Sequence, residues 1–183
     1  MNDYLQSMIK QFEYYKSLVE KTFHQIDDEK LFWKPNEESN NMAIIVKHIS
    51  GNMMSRWTDF LTSDGEKEWR NREDEFNNDI TSKEELVLVW EKGWACLFNT
   101  LNTLTNDDLS KEIYIRNIGH SVTEAINRQL SHYAYHVGQI VFLGKLIANN
   151  NWKSLSIPKG ESNTYNKNKF DKPRRKEHFT DDL

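Results

Sequence analysis

The sequence contains very little thiol chemistry, because Cys96 is the only cysteine among its 183 residues. One cysteine excludes a disulfide within the chain and a zinc site built from several thiolates. No stretch of about 18 apolar residues occurs, so we expect no membrane span. Residues 1–10 lack a basic region followed by an apolar run, so we expect no secretory signal and a cytoplasmic location.

Concentrated positive charge is also scarce. The formal net charge is −4, and only residues 172–176 gather several lysines and arginines, with Asp181 and Asp182 close behind. A protein that holds nucleic acid needs a basic patch or stripe to neutralise phosphates. We therefore expect no nucleic-acid partner.

What is present is helical periodicity. Apolar residues recur at intervals of three and four in four segments, at about residues 3–23, 40–63, 81–104 and 121–148. Four such helices with connections that favour antiparallel neighbours predict an all-α fold, an antiparallel four-helix bundle.

The starts of three of these helices have recognisable caps. The second is expected to begin at Asn40 or Asn41, since either is a good N-cap. Capping-box patterns, a serine or threonine followed three residues later by glutamate, open the third and fourth helices. The candidates are Thr81–Glu84 or Ser82–Glu85 for the third, and Ser121–Glu124 for the fourth.

The segments between and after the helices differ in character. Residues 64–80 are charged and irregular and predict a long loop, while Ile113–Ile118 could form an extended piece. After residue 160 the composition becomes polar and charged. We expect one domain over residues 1–160 and a flexible tail over residues 161–183.

The last long helix is apolar on more than one side. Tyr135, Phe142 and Leu146 lie opposite its main apolar stripe, so two of its faces need cover. A central position among the other helices would supply that cover, and so would the interface of a homodimer.

Three histidines form the main candidate site. His132 and His136 are four residues apart on the inward stripe, a spacing that stacks two imidazoles on one helix face. The pair alone could simply be two polar residues beside the core. His48 lies on the apolar stripe of the second helix, so three inward imidazoles from two helices can converge on one metal ion. Three protein ligands leave a position open for water or substrate, as in catalytic metal sites.

Several polar residues lie near this triad in helical register. Asn52, Gln129 and Gln139 could orient the imidazoles or a ligand, although ordinary polar packing would also explain them. Arg56 and Arg128 could face an anionic substrate or lie on a solvated face. No carboxylate occupies a clear ligand position, and the protease pattern H-E-x-x-H is absent, so no general base is identified.

The remaining candidates have local explanations. His24 ends the first helix, His120 precedes the last one, and His178 lies in the predicted tail. Cys96, within the tryptophan-rich third helix, is best explained as a small buried apolar residue.

The motifs around the triad resemble the DinB-like superfamily. The last helix carries the run HYAYHVGQI at His132–Ile140, and the second helix carries IVKHI at Ile45–Ile49. The earlier LFWKP at Leu31–Pro35 is similar to members of the superfamily. Trp152–Pro158 and Gly160 resemble an uncharacterised bacterial branch related to bacillithiol S-transferases. The resemblance covers residues 1 to about 160.

The resemblance implies a four-helix bundle of DinB type with a divalent metal on three histidines, which correspond to His48, His132 and His136. Zinc or nickel is favoured, and iron or manganese also suits imidazole ligands. Many members of the superfamily pair as homodimers.

Characterised relatives imply several reactions on a small-molecule substrate. The favoured one is S-transfer from a low-molecular-weight thiol such as bacillithiol. A metal-dependent hydrolase of amides or esters is the first alternative. A non-catalytic stress protein that binds metal or a ligand is the second.

Overall fold

The computed structural model describes residues 3–182. Met1 and Asn2, in the predicted domain, and Leu183, in the predicted tail, lie outside the described residues. The structure is mainly helical, with one small sheet. Its elements are the helices α1 (Asp3–Phe23), α2 (Met42–Trp57), α3 (Lys83–Thr103), α4 (Val122–Ala148) and α5 (Ser162–Phe170), and the strands β1 (Glu112–Ile115) and β2 (Ile118–Ser121).

The predicted caps are confirmed, and the alternatives are resolved. The side chain of Asn41 accepts a hydrogen bond from the Ile44 N–H at 2.9 Å and opens α2. Ser82 caps α3 in the same way, but the predicted capping box is not completed, because the Glu85 carboxylate accepts the Thr81 N–H and not the Ser82 N–H. Ser121 caps α4 within a full capping box, where the Glu124 carboxylate accepts the backbone N–H of Ser121 at 2.7 Å.

Two expectations need correction. The all-α prediction is wrong because the extended piece after α3 pairs with itself as an antiparallel hairpin, with Ile115 opposite Ile118. The second helix also ends at Trp57 rather than near residue 63. Asp59 adopts a left-handed conformation (φ 48°) there, which turns the chain out of the helical path.

The helix directions also differ from the predicted antiparallel order. The Ser50 hydroxyl donates to the Val89 carbonyl, and the Thr100 hydroxyl donates to the Trp57 carbonyl, so consecutive α2 and α3 run parallel. Residues 58–82 make this possible by crossing from the end of α2 back to the level of its start. α4 runs antiparallel to α2, because His48 contacts His136 while Asn52, further along α2, bonds Tyr133, which lies earlier on α4.

A cluster of four aromatic rings, one from each long helix, forms the centre of the core. Phe12 of α1 contacts Trp57 of α2, Trp94 of α3 and Tyr133 of α4, with ring centroids 6.0–6.4 Å apart. The Trp57 indole N–H donates to the Tyr133 hydroxyl at 3.1 Å. All four side chains are almost completely buried, so they tie the helices together beside the candidate site.

The hairpin turn is held by the crossover segment. Arg116 and Asn117 have φ values of 55° and 59°, the conformation that a two-residue hairpin turn requires. The Asp64 carboxylate accepts both of their backbone N–H groups at 2.8 Å. These bonds fix the backbone from which the Arg116 side chain projects.

Residues after 160 contact the first helix. α5 is exposed, but His178 lies within hydrogen-bond distance of Ser7, and Lys10 pairs with Asp181 at 2.6 Å. The domain boundary at residue 160 and the flexibility of the tail stay predictions. Within residues 3–182, no helix is long and apolar enough to cross a membrane.

The outer side of α4 is left exposed by the part of the chain that the structure describes. Tyr135, Phe142 and Leu146 are 64%, 61% and 49% exposed. Among the described residues, α4 therefore packs on α1 and α2, but no neighbouring helix covers its second apolar side.

Candidate metal centre

The imidazole side chains of the three predicted histidines converge in the structure. His48 projects from α2, and His132 and His136 project from successive turns of α4. One ring nitrogen from each lies within 4.8 Å of the other two. The Nε2 atoms of His132 and His136 are 3.1 Å apart. That separation is close to the roughly 3.3 Å between ligand atoms of a tetrahedral zinc ion with Zn–N bonds of about 2.0–2.1 Å.

A buried carboxylate holds the His48 ring. Glu75 Oε2 lies 2.9 Å from His48 Nδ1, and both side chains are more than nine-tenths buried. Arg70 in turn donates to both Glu75 oxygens, at 2.7 and 2.9 Å. Because the carboxylate accepts the Nδ1 proton, the Nε2 lone pair of His48 is free for a ligand bond, an arrangement common around metal-binding histidines.

The electrostatics of Glu75 agree with this role. Burial disfavours its charged form, but the hydrogen bonds from His48 and Arg70 outweigh burial and hold its pKa below the ordinary value. Glu75 is therefore an anion at neutral pH. The carboxylate can accept a hydrogen bond from His48 Nδ1–H while it keeps its hydrogen bonds from Arg70.

The His136 ring is also oriented by a hydrogen bond at Nδ1, which it makes to a glutamine side chain. Its Nδ1 lies 2.8 Å from Gln139 Oε1, so Nδ1 carries the proton and Nε2 is left as the free nitrogen. Gln139 is three residues further along α4, and it is the one predicted orienting residue that bonds a triad imidazole directly.

The other two predicted orienting residues lie beside the triad without bonding it. Asn52 Oδ1 accepts a hydrogen bond from the Tyr133 hydroxyl at 3.0 Å, which ties it to the aromatic core. Gln129 is buried, and its Oε1 has no hydrogen-bond partner. Both side chains line a cavity that opens next to His48 and His132.

The imidazoles of α4 are kept neutral. Burial, and then the nearby imidazoles of His136 and His48, lower the pKa of His132 to about 3. Burial also lowers the pKa of His136. Neutral imidazoles carry the lone pairs that a metal ion needs.

This pKa shift predicts how the metal-free protein responds to acid. The His132 pKa is depressed on folding, so between pH 6.5 and about 3 the unfolded chain binds more protons at this residue than the folded one. The contribution of His132 to the free energy of unfolding is therefore fully present above pH 6.5 and is lost as the pH falls below that value. Thermal unfolding of the apo protein should show a steeper loss of melting temperature between pH 6.5 and 4.5 than the His132→Gln variant. Equal slopes would contradict the assignment.

Sequence reasoning missed Glu75, which lies in the charged crossover at Glu73–Phe76 rather than on a helix. One signal pointed to it. Gly51 stands inside α2, where glycine weakens a helix, and a glycine there often marks a close approach. A Cβ atom at Gly51 would lie 2.3 Å from Glu75 Oε1 and 2.7 Å from its Cδ.

Gly51→Ala should therefore displace the Glu75 carboxylate while leaving the helices intact. We expect metal affinity to fall roughly 10-fold, within the range for loss of an orienting partner. Competition with a chromophoric chelator would measure it. If the effect acts through Glu75, the Gly51→Ala/Glu75→Ala double variant should bind metal no more weakly than Glu75→Ala alone. Additive losses would exclude this explanation.

The remaining histidines and the cysteine lie apart from the triad. His24 contacts the Glu20 carbonyl, and His120 contacts Arg128. Cys96 is half-buried, with Sγ 3.6 Å from the Thr58 hydroxyl, and it does not line the cavity beside His48.

Comparison with known proteins places the chain in a family. The model of a family described as "Protein of unknown function (DUF1572)" matches residues 1–161, and the chain belongs to this family. No curated protein matches the chain significantly. No solved structure does so either.

Proposed function

We propose that this DUF1572 protein is a cytoplasmic metal-dependent enzyme that transfers a low-molecular-weight thiol, such as bacillithiol, to a small electrophile. The observation that carries the proposal is the convergence of His48, His132 and His136 within 4.8 Å beside an open cavity. Glu75 and Gln139 fix two of the rings with their Nε2 atoms free.

The donor set fits a divalent ion. Three neutral imidazoles suit zinc or nickel, and also iron or manganese, and they leave room for a further ligand. When bound, such an ion would lower the pKa of a thiol or water. Within the chain, His48, His132 and His136 hold it, while Glu75 and Gln139 keep the imidazoles in the required tautomer.

The proposed reaction is a substitution without net oxidation. The thiol loses its proton to solvent, and the sulfur forms a bond to carbon. The bond from that carbon to its leaving group breaks, and the leaving group departs with the electron pair. The chain offers no thiol of its own at the cavity, because its only cysteine, Cys96, lies elsewhere. The nucleophile must therefore come from outside.

We further propose that the four long helices form a bundle of DinB type and that the family belongs to the DinB-like superfamily. The His132–Ile140 motif lies on the last long helix and the His48 motif on the second, as the resemblance implies. The side-by-side contacts of α2 with both α3 and α4, and of α1 with α4, support a bundle.

A homodimer through the outer side of α4 is part of the same proposal. Tyr135, Phe142 and Leu146 form an exposed apolar ridge, and Phe142 and Leu146 are also one side of a groove of about 390 Å³ whose other lining residues include Pro35 and Leu143. A ridge and a groove on one surface are what a two-fold interface needs. Light scattering should give a dimer mass that Phe142→Glu converts to a monomer. A monomeric parent protein would refute it.

The test of function combines metal analysis with a thiol assay. Elemental analysis of the purified protein should give about one divalent ion per chain. Anaerobic incubation with bacillithiol and monochlorobimane should form the thioether faster than the uncatalysed background. His132→Ala should return the rate to background, whereas His24→Ala should not change it.

Each other outcome counts against the proposal. A rate unchanged by His132→Ala would refute a role for the triad. Metal-dependent cleavage of esters or amides without thiol would replace the transferase with a hydrolase. Stabilisation by metal without turnover in either assay would indicate a binding protein.

A further inference from the structure

The cavity beside the triad has a wall made largely of arginine. It has a volume of about 240 Å³, and no aspartate or glutamate lines it. Five of its nine lining residues are arginines from α2, the crossover, the hairpin turn and α4, namely Arg56, Arg70, Arg72, Arg116 and Arg128. Four separate parts of the chain thus deliver positive charge to one small space.

The carboxylates behind this wall are too few to neutralise it. Glu66 Oε2 is shared by Arg56 at 3.1 Å, Arg70 at 3.3 Å and Arg116 at 3.0 Å. Glu75 is occupied by Arg70 and by the imidazole of His48. Among the carboxylates of residues 3–182, Arg72 pairs only with the exposed Glu73, at 3.4 Å. The wall therefore keeps an excess of positive charge.

Arg128 is the arginine nearest in register to a proposed metal ligand. It lies one turn before His132 on α4, so the two side chains share a helix face. Its guanidinium is 3.0 Å from His120 Nε2, and no carboxylate of residues 3–182 forms an ion pair with it. An uncompensated guanidinium at a cavity is a ready partner for an oxyanion.

Two buried polar atoms of the lining residues have no partner. Arg56 Nε and Gln129 Oε1 make no hydrogen bond, although their residues are only 5% and 4% exposed. A buried polar group without a hydrogen bond destabilises the protein. Arg56 Nε–H is a donor that a bound anion could satisfy, whereas Gln129 Oε1 is an acceptor and gives an anion no support.

We infer that this cavity binds the carboxylate or phosphate group of a small anionic substrate and holds its reacting atom next to His48 and His132. The inference rests on the proposed function for the identity of that reacting atom, but not for the anion site itself. Guanidinium groups match the planar oxygens of both anions. The volume is below the roughly 300–1,000 Å³ of pockets for drug-sized ligands, so it suits a small metabolite.

The experiment measures anion binding separately from metal and turnover. Calorimetric titrations of the metal-free protein would compare succinate and inorganic phosphate with the neutral analogue succinamide. We expect succinate or phosphate to bind at least 10-fold more tightly than succinamide. The tighter of the two anions then identifies the carboxylate or the phosphate source.

Variants locate the site. Arg128 is exposed, so the Arg128→Gln variant should fold normally. We expect it to weaken anion binding at least 10-fold without lowering the metal content of the protein. Arg174→Gln, a matched change at an exposed arginine of the tail, should leave binding unchanged.

Two results would overturn the inference. One is that succinate, phosphate and succinamide bind with equal affinity, or that none of the three binds. The other is anion binding that Arg128→Gln does not weaken. If the anions bind as expected but the protein takes up no divalent ion when zinc or nickel is supplied, the result would instead contradict the proposed function alone.

Discussion

His132→Ala is expected to abolish stoichiometric metal binding while leaving the fold intact. The side chain is only partly buried, so its loss removes little packing, but it removes one of three converging nitrogens. Loss of a group that merely orients a ligand already costs about 10–100-fold in metal affinity. Loss of a ligand itself should exceed that, and we expect more than a 100-fold decrease in a chelator competition.

The measurement has a simple thermal counterpart. Metal stabilises the parent protein in proportion to the logarithm of its concentration over Kd, so saturating zinc or nickel should raise the melting temperature. The shift should vanish in His132→Ala and persist in His24→Ala, whose imidazole contacts only the Glu20 carbonyl among the described residues. An unchanged shift in His132→Ala would mean that metal binds elsewhere.

Glu75→Ala is expected to have the largest effect on stability. The Glu75 carboxylate pairs with Arg70, whose side chain is 3% exposed, and removing it leaves that guanidinium buried with Glu66 alone at 3.3 Å. Breaking one side of a buried pair costs about 3–5 kcal/mol, and the remaining contact places this case near about 3 kcal/mol. Metal affinity should fall as well, since His48 loses the acceptor that fixes its tautomer.

A double variant separates these two effects. In Arg70→Met/Glu75→Leu the buried charges are removed together, so urea denaturation of the apo protein should show most of the lost stability recovered. Metal affinity should stay low, because His48 Nδ1 still lacks its partner. Recovery of metal affinity in the double variant would show that Glu75 acts only through stability.

The long helices and the triad could be predicted because their signals are local. Apolar periodicity and the caps at Asn41, Ser82 and Ser121 depend on neighbours within a few residues. His48, His132 and His136 lie on the inward stripes of two such helices. Once the helices are recognised, the imidazoles are confined to the space between them.

The rest of the site depends on tertiary contacts that no local pattern encodes. The crossover after α2 has no apolar period, so its sequence does not reveal that Glu75 turns inward to His48 or that Arg70 is buried behind it. The parallel direction of α2 and α3 follows from the length of that crossover, which a preference for short connections does not predict. Arg56 could equally have faced solvent, and only the packing of the Gly65 region against α2 shows that it is buried.

The position of α4 in the chain fixes the order in which the protein can mature during synthesis. α4 supplies two of the three imidazoles, and it also packs against α1, at the other end of the domain. While the ribosome has delivered only α1 to α3, Phe12, Trp57 and Trp94 lack their Tyr133 neighbour, and apolar surface stays open to chaperones. A metal ion held by all three imidazoles could therefore bind only after His136 has left the ribosome.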